Sequence, residues 1–543
     1  MDFISHPWIN KDSVEKREYQ EALAKTSLTG NTLCVLPTGL GKTPVAALVA
    51  AERLQQNMRY KILFMAPTKP LVEQHRSSFL RMIRIGEDEL KVVTGEDKPE
   101  VRSSMYKKAD IVFSTPQTIE NDLQKNVLTL KDFSLCIFDE AHRCIGNYAY
   151  TYIAKAYMAQ CPDPLILALT ASPGSELQKI NMIKDNLFIK NVAIKTRDDA
   201  DVKPYVQKVN QEWVEVEMSV PMQSVKKYLD DMKNSRVAKL MAWHILQQNM
   251  ISKSYLLKIQ EQLLRRTDAR GASYHPKTGM SFAALRIVTE LIKIDHALVL
   301  LETQCLSSLN EFFIKVDEDA KSGKTKSSQH LAKEELWISA KRLTKELLDE
   351  GKEHPKMEKL KEIVGSILNE KKYARIIVFA QFRDTVAKIH DSIKSVSRAA
   401  PIEFIGQAKK KGKGLSQKEQ VQILNEFKMG FYNVLCASQV AEEGIDVAET
   451  DAVIFYEPTP SAVRKIQRSG RTARTHSGRV IMLLTKGTRD EAYHWASTRR
   501  EQKMTRTLYA MQKVNNMQGE QREASKQQST NAFNKFKDRR KLI

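Results

Sequence analysis

The stretch Thr32–Leu54, TLCVLPTGLGKTPVAALVAAERL, decides the fold. A short apolar run ends in Pro37, Thr38, Gly39, Leu40, Gly41, Lys42 and Thr43, and the segment after it has helical spacing. Strand, glycine-bearing loop and helix are the parts of a phosphate loop. Glycines let backbone N–H groups face phosphate oxygens, Lys42 reaches the β and γ phosphates, and Thr43 holds Mg2+. Leu36 stands where the general pattern has its first glycine, so Gly39 and Gly41 must supply the loop's freedom. GKT alone is a weak signal. The chain repeats it at Gly323-Lys324-Thr325, with no strand before it and Lys321 at the position of Gly39.

Working outward, the runs KILFMAP, DIVFSTP, LCIFDEAH and LILALTASP alternate with helical periodicity as far as about Thr196. That alternation predicts a doubly wound parallel sheet. A second series begins near Tyr373 with ARIIVFAQF, IEFIG, NVLCAS, DAVIFYEP and RVIMLLTKG. The helix before it carries Leu360, Ile363, Val364, Ile367 and Leu368 at the spacing of a buried stripe, just after His354-Pro355. About 150 residues between the two series have few strand-like runs and long helical periodicity, too long for a structureless connection. The expected fold class is α/β: two RecA-like doubly wound lobes with a mostly α-helical insert between them. The boundaries read as 1–203 for the first lobe, 204–354 for the insert and 355–500 for the second lobe, with a basic, largely disordered tail over 501–543.

LCIFDEAH ends its strand with Asp139 and Glu140, at the carboxyl edge where ligands of such sheets bind. Asp139 suits a Mg2+ shell and Glu140 suits polarisation of an attacking water, the division of labour phosphoryl transfer demands. Taken alone the pair could equally be a helix cap. QRSGRTAR in the second series supplies Gln467, Arg471 and Arg474, guanidinium groups able to reach across a cleft to a γ-phosphate; a solvated basic helix would carry the same charges.

Composition agrees with a soluble globular protein of several domains. The 543 residues carry 86 Lys and Arg against 65 Asp and Glu, a net +21 that attracts a polyanion, nucleic acid before a membrane surface. The six cysteines form no CxxC pair, which excludes a zinc or disulfide framework and fits a reducing cytosol. No apolar stretch approaches the ~20 residues that span a bilayer, and no targeting segment is evident.

Arg17 and Gln20 in REYQ, PTGLGKT, PTKPLVEQH, VVTGE, STPQT, DEAH, TAS, IVFAQFRDT, VLCASQVAEEGIDV and QRSGRTAR resemble, in order, the motifs of superfamily-two helicases. PTGLGKT is that superfamily's form of the phosphate loop, which accounts for Leu36. APTKPLVEQH, TPQTIENDL, FDEAHR with GNYAY, LTASPGS, HPKMEKLKEI, GLSQKEQ and FYEPTPSA are similar, more narrowly, to the archaeal Hef helicases, relatives of the Fanconi anaemia group M translocase. The resemblance runs from about Arg17 to Trp495.

It implies an ATP-dependent DNA helicase or translocase, with ATP and Mg2+ as cofactors, acting on forked or branched DNA in replication-fork repair. Gln20 and Arg17 would read adenine; Gly444 and Asp446 would approach the nucleotide; His142 and Ser172 would couple hydrolysis to strand movement. Strand contacts would come from Thr68, Lys69, Thr94, Gly95, Thr115, Arg383 and Ser438, which grip phosphates without reading bases. Ser438 replaces a usual threonine and keeps its hydroxyl; Ala473 replaces a frequent glycine. Many Hef proteins continue into an XPF-type nuclease with an ERKxxxD motif. DRRKLI at residues 538–543 is not that motif, and a helicase-only member and a fragment fit alike.

Dicer and the innate-immune RNA sensors also carry a helical insertion between lobes, so a double-stranded RNA motor is the alternative. A clamp on a dead motor fold would need a damaged Walker loop, acidic pair or arginine motif, and all three are intact. The insert carries Arg265, Arg266, Arg270, Lys321, Lys324 and Lys326, a candidate branch-reading surface; a spacer that only sets lobe geometry is the other reading. Gln527, Thr530 and Phe533 faintly resemble a sliding-clamp peptide, against a plain solvated tail. The expected location is cytoplasmic and nucleoid-associated.

Overall fold

The computed structural model describes residues 2–56, 61–174, 176–207, 209–247, 252–268, 276–407, 414–441, 449–472 and 477–513. Among these, two parallel sheets form the lobes. The first contains β1 (Thr32–Val35), β2 (Lys61–Met65), β3 (Leu90–Val93), β4 (Ile111–Ser114), β5 (Phe133–Phe138), β6 (Ile166–Thr170) and β7 (Asn191–Ile194), in the order β3-β4-β2-β5-β6-β1-β7. The second contains β8 (Val209–Val216), β9 (Ile376–Phe379), β10 (Pro401–Phe404), β11 (Val434–Ala437), β12 (Ala452–Phe455) and β13 (Gly478–Thr485), in the order β10-β11-β9-β12-β13-β8. Their central strands are buried along their whole length because helices cover both faces, which is why they read as continuous apolar runs.

The insert is helical: Val220–Ala242, Lys253–Asp268, Pro276–Thr303, Leu306–Lys321, Lys326–Leu331 and Glu335–Asp349. Its core gathers Met222, Leu229, Leu298, Leu309, Phe313 and Trp337, with the Trp337 ring edge-on to Phe313 at 4.8 Å. Arg236 is buried with it and pairs with Glu290 at 2.9 Å and with Glu334, so the charge inside the bundle is compensated. The second GKT is only a helix start: Thr325 Oγ1 accepts from Ser328 N at 3.2 Å, capping Lys326–Leu331.

Two expected boundaries move. Residues 209–216 were expected in the insert but form β8, parallel to β13, with Trp213 opposite Met482. VNQEWVEV is an edge strand with Gln211, Trp213 and Glu215 exposed and Val214 turned to the core, so it shows no continuous apolar run. The start of the expected tail is also ordered. Residues 489–513 are one helix, and its Met504 and Leu508 sit in the apolar core of the first lobe. Residues 514–543, with Gln527, Thr530 and Phe533, lie outside the described residues.

The insert is fastened to the second lobe. Thr385 Oγ1 donates to Gln304 Oε1 at 2.8 Å, Tyr456 OH donates to the Gln304 carbonyl at 3.2 Å, and Arg489 pairs with Asp295 at 2.8 Å and Glu302 at 3.2 Å.

Below that junction lies a buried polar group: Lys356 pairs with Asp490, both fully buried, and Glu457 accepts from the Gln381 amide. Burial pushes the Glu457 carboxyl up to about 8, with Asp490 adding to it and Arg468 and Lys356 opposing. An acid whose folded value lies above its unfolded one, near 4.5, takes up a proton on folding. Its stabilising contribution is complete below about pH 4.5 and is lost as pH rises toward 8. We expect the thermal midpoint to fall between about pH 5 and about pH 8, and Glu457→Gln to flatten that fall. An equal slope in the variant, followed by calorimetry, would assign the pH dependence elsewhere.

Candidate active site

β5, β6 and β1 are neighbours, and at their carboxyl ends lie Asp139-Glu140, Thr170-Ala171-Ser172 and the phosphate loop. Leu36 continues β1, its N–H donating to the Thr170 carbonyl at 3.0 Å while its side chain enters the core, so a glycine there would lose apolar packing. Gly39 and Gly41 have φ of +85° and +88°. A side chain at Gly41 would in addition place its Cβ 2.3 Å from Gln20 Nε2. Gln20 and Tyr19 brace the loop, donating to the Leu40 carbonyl at 3.0 and 2.8 Å. Arg17 pairs with Glu15 at 2.7 Å and covers the Tyr205 ring at 4.7 Å.

Glu140 adopts φ +50° and ψ +49°, a left-handed conformation that costs a non-glycine residue about 1–3 kcal/mol and is held here by its neighbours. Tyr150 OH donates to the Asp139 carbonyl at 2.8 Å and to the Met65 carbonyl at 3.2 Å. Asp139 Oδ2 lies 2.9 Å from His75 Nε2, and His75 Nδ1 lies 3.5 Å from Thr43 Oγ1, so one imidazole bridges the phosphate-loop hydroxyl and the acidic motif. Burial pushes the Asp139 carboxyl up, but the His75 hydrogen bond and the charges of His75 and Lys42 outweigh it and hold the group below the usual carboxylate range. His142 Nδ1 is 3.3 Å from both Glu140 Oε2 and Thr170 Oγ1.

His75 and Tyr150 were legible only as letters inside PTKPLVEQH and GNYAY. The structure brings them onto the acidic motif from 64 and 11 residues away.

From the second lobe the helix Ala462–Ser469 follows β12 and carries Gln467, with Arg471 just beyond its end. Arg468 is buried over the rings of Phe379 and Phe455, at 5.0 and 5.6 Å. The backbone beside Arg471 is pinned: Thr450 N donates to the Arg471 carbonyl at 3.2 Å. Gly470 meets the phosphate loop so closely that a Cβ there would lie 1.8 Å from Thr38 Oγ1. Ile466 packs on the first lobe's core. The arginine motif therefore abuts the phosphate loop from the opposite lobe. Gly444, Asp446, Ala473 and Arg474 lie outside the described residues.

The expected strand-contact residues occupy other strands on the same carboxyl edges. Thr68, Thr94-Gly95 and Thr115 follow β2, β3 and β4; Arg383 and Ser438 follow β9 and β11. Thr68 and Thr115 precede the helices Lys69–Met82 and Pro116–Gln124. Thr94 donates to Asp97 at 3.2 Å, Lys69 pairs with Glu96 at 2.7 Å, and Arg383 donates to the Gly406 carbonyl at 3.0 Å. Each lobe thus separates the strand ends that carry the phosphate loop, acidic pair and arginine motif from a second set, which carries the hydroxyls of Thr68, Thr94, Thr115 and Ser438, the last of them buried.

Two parallel-sheet lobes with phosphate loop, acidic pair and opposing arginine motif define a DEAD/DEAH-box helicase motor. The DEAD/DEAH box helicase family matches residues 17–180, the helicase conserved C-terminal domain matches 355–476, and a helical bundle described for ATP-dependent RNA helicases matches 222–349. The Hef helicase domain of Pyrococcus furiosus, a crystal structure, is 41% identical with a TM-score of 0.70, covering 90% of this chain and all of that one. The chain belongs to the Hef family of helicases.

Among curated relatives, a Methanocaldococcus jannaschii protein named as an ATP-dependent RNA helicase is 38% identical over 94% of this chain and 63% of its own length. The Arabidopsis thaliana DEAD-box ATP-dependent RNA helicase FANCM is 34% identical over 89% and 36%. The Neurospora crassa ATP-dependent DNA helicase mph1 is 31% identical over 88% and 42%. The chain thus spans between about a third and two thirds of the length of these relatives. Among the described residues no helix is long and apolar enough to cross a membrane.

Proposed function

We propose that this chain is an ATP-driven DNA motor acting on forked or branched DNA. One observation carries the reading: the phosphate loop and the acidic pair lie on the carboxyl edge of one lobe, and the arginine motif of the other closes directly on that loop. Lys42 and the loop amides bind the β and γ phosphates, Glu140 orients and polarises water, and Arg471, joined by Gln467 and Arg474, neutralises charge that develops on the transferred phosphoryl group. Gly444 and Asp446 face the nucleotide, and Gln20 and Arg17 serve the adenine, exchanging their present protein partners for it.

The residues fit Mg2+. Asp139 Oδ1 is buried and accepts no hydrogen bond among the described residues, its carboxyl is held ionised, and Thr43 lies across His75 from it. Asp139 and Thr43 would hold the ion, which supplies charge neutralisation at the phosphates. Thr68, Lys69, Thr94, Gly95, Thr115, Arg383 and Ser438 grip one strand's phosphates.

Branch preference needs a surface beside that track, and the helical insert supplies Lys321, Lys324 and Lys326 together with Arg265. The side chains of Arg266 and Arg270 lie outside the described residues. Such a motor would be cytoplasmic and nucleoid-associated. The printed names of the relatives divide between RNA and DNA, so substrate class is what must be measured. ATP turnover at fixed salt should rise most with forked DNA, less with linear duplex DNA and least with matching double-stranded RNA. RNA as the strongest stimulant would transfer the reading to a double-stranded RNA motor.

A further inference from the structure

The helix 489–513 emerges from the second lobe after β13 and grips both halves of the motor. On one face Glu501 pairs with Lys465 of the arginine-motif helix at 3.0 Å, and Arg500 donates to the Pro460 carbonyl at 2.7 Å. One turn further on, Met504 enters the first lobe, where the buried Ser172 hydroxyl donates to its Sδ at 2.9 Å. Leu508 lies in the same apolar cluster. Tyr509 OH adds hydrogen bonds with Thr196 Oγ1 at 2.8 Å and Asp199 Oδ1 at 2.9 Å.

Ser172 is two residues from Thr170, and from there the contacts run into the hydrolytic site. Ser172 N donates to Thr170 Oγ1 at 3.1 Å, Thr170 Oγ1 is 3.3 Å from His142 Nδ1, and His142 Nδ1 is 3.3 Å from Glu140 Oε2. Each member is at least partly buried, so each contact acts with little screening by water. Glu140 is held in a conformation its own backbone disfavours, which leaves its carboxylate position dependent on such neighbours.

We propose that Met504 is a positioning residue for ATP hydrolysis: it registers the second lobe's last described helix on Ser172 and, through Thr170 and His142, sets the Glu140 carboxylate when the lobes close on nucleic acid. This rests on the reading of Glu140 as the water-orienting group. The thioether is a weak acceptor on a flexible, well-packing side chain, suited to a contact made and remade in each cycle. The helix is tied to the arginine motif by Glu501 and to Ser172 by Met504, so rotation of the second lobe reaches both sides of the nucleotide together.

The test uses the full chain with forked DNA and double-stranded RNA supplied separately. Met504→Leu keeps volume and apolarity and removes the acceptor. The ratio of stimulated to unstimulated turnover should fall about tenfold, within the usual range of coupling between sites, with KM for ATP held and the thermal midpoint within the spread of repeats. Ser172→Ala should lose a similar factor, and the double variant no more than either alone, because both cut one link. A stimulated wild type with an unchanged Met504→Leu overturns the proposal alone, and so do losses that multiply in the double variant. A wild type that no nucleic acid stimulates, or a fully active Glu140→Gln, overturns the parent reading and this one with it.

Discussion

Glu140→Gln should lower steady-state ATP turnover by ~10²-fold or more at saturating nucleic acid, and Lys42→Ala should do the same, the loss expected when a preorganised electrostatic contributor to a transition state is removed. The glutamine is nearly isosteric and can keep the left-handed backbone that Glu140 adopts, so what disappears is the charge proposed to polarise water. Lys42 is proposed to bind the phosphates, and its charge also lowers the Asp139 carboxyl, so its removal should weaken two parts of the site. The variants separate in nucleotide binding: Glu140→Gln should retain ATP, whereas Lys42→Ala should release it. Turnover with and without DNA, beside equilibrium binding of a fluorescent ATP analogue, checks both. Full activity in either variant would sink the assignment.

Arg471→Ala should cost about 10³-fold in hydrolysis, the low end for an arginine that stabilises a transferring phosphoryl group, while ATP affinity changes only a few-fold. The backbone at this position is fixed through Thr450 and through Gly470 against Thr38, so the substitution removes a guanidinium without freeing the loop. Single-turnover hydrolysis, measured beside nucleotide affinity, separates the two roles open to this side chain. Comparable losses in both would make Arg471 a ground-state contact instead of a group recruited on closure. The same outcome is expected for Arg474→Ala on the sequence pattern alone.

Strands buried on both faces announce themselves, because nearly every position of TLCV, FSLCIF or IIVF is apolar. The phosphate loop and acidic pair are contiguous stretches at the ends of such strands, so they were legible as well. β8 was not, since an edge strand buries one side and its alternation was lost among the insert's helical residues. His75 escaped for a different reason. It looks like any polar residue on the helix Lys69–Met82, and its meaning comes from Asp139, which only the sheet brings near. In the helix 489–513 the overall polarity masked a sparse stripe of Met504, Leu508 and Met511, spaced by four and three residues, that docks on the first lobe. Gln20 and Arg17 were read from the resemblance as adenine contacts; in the fold Gln20 braces the phosphate loop and Arg17 pairs with Glu15.

The point where the chain passes from one lobe to the other limits how the motor can move. Val202, Tyr205 and Val206 still pack on the first lobe, and Val209 is already paired with β13 of the second. Three peptide steps reach about 10 Å at full extension, so at this edge the halves are on a short leash. They can swing about it but cannot slide far along each other. The insert begins after β8 and returns through the helix Pro355–Glu370, both rooted in the second lobe. Both its ends are therefore anchored on the second lobe, and any rotation between the lobes would displace it against the first lobe by an amount that grows with distance from that edge.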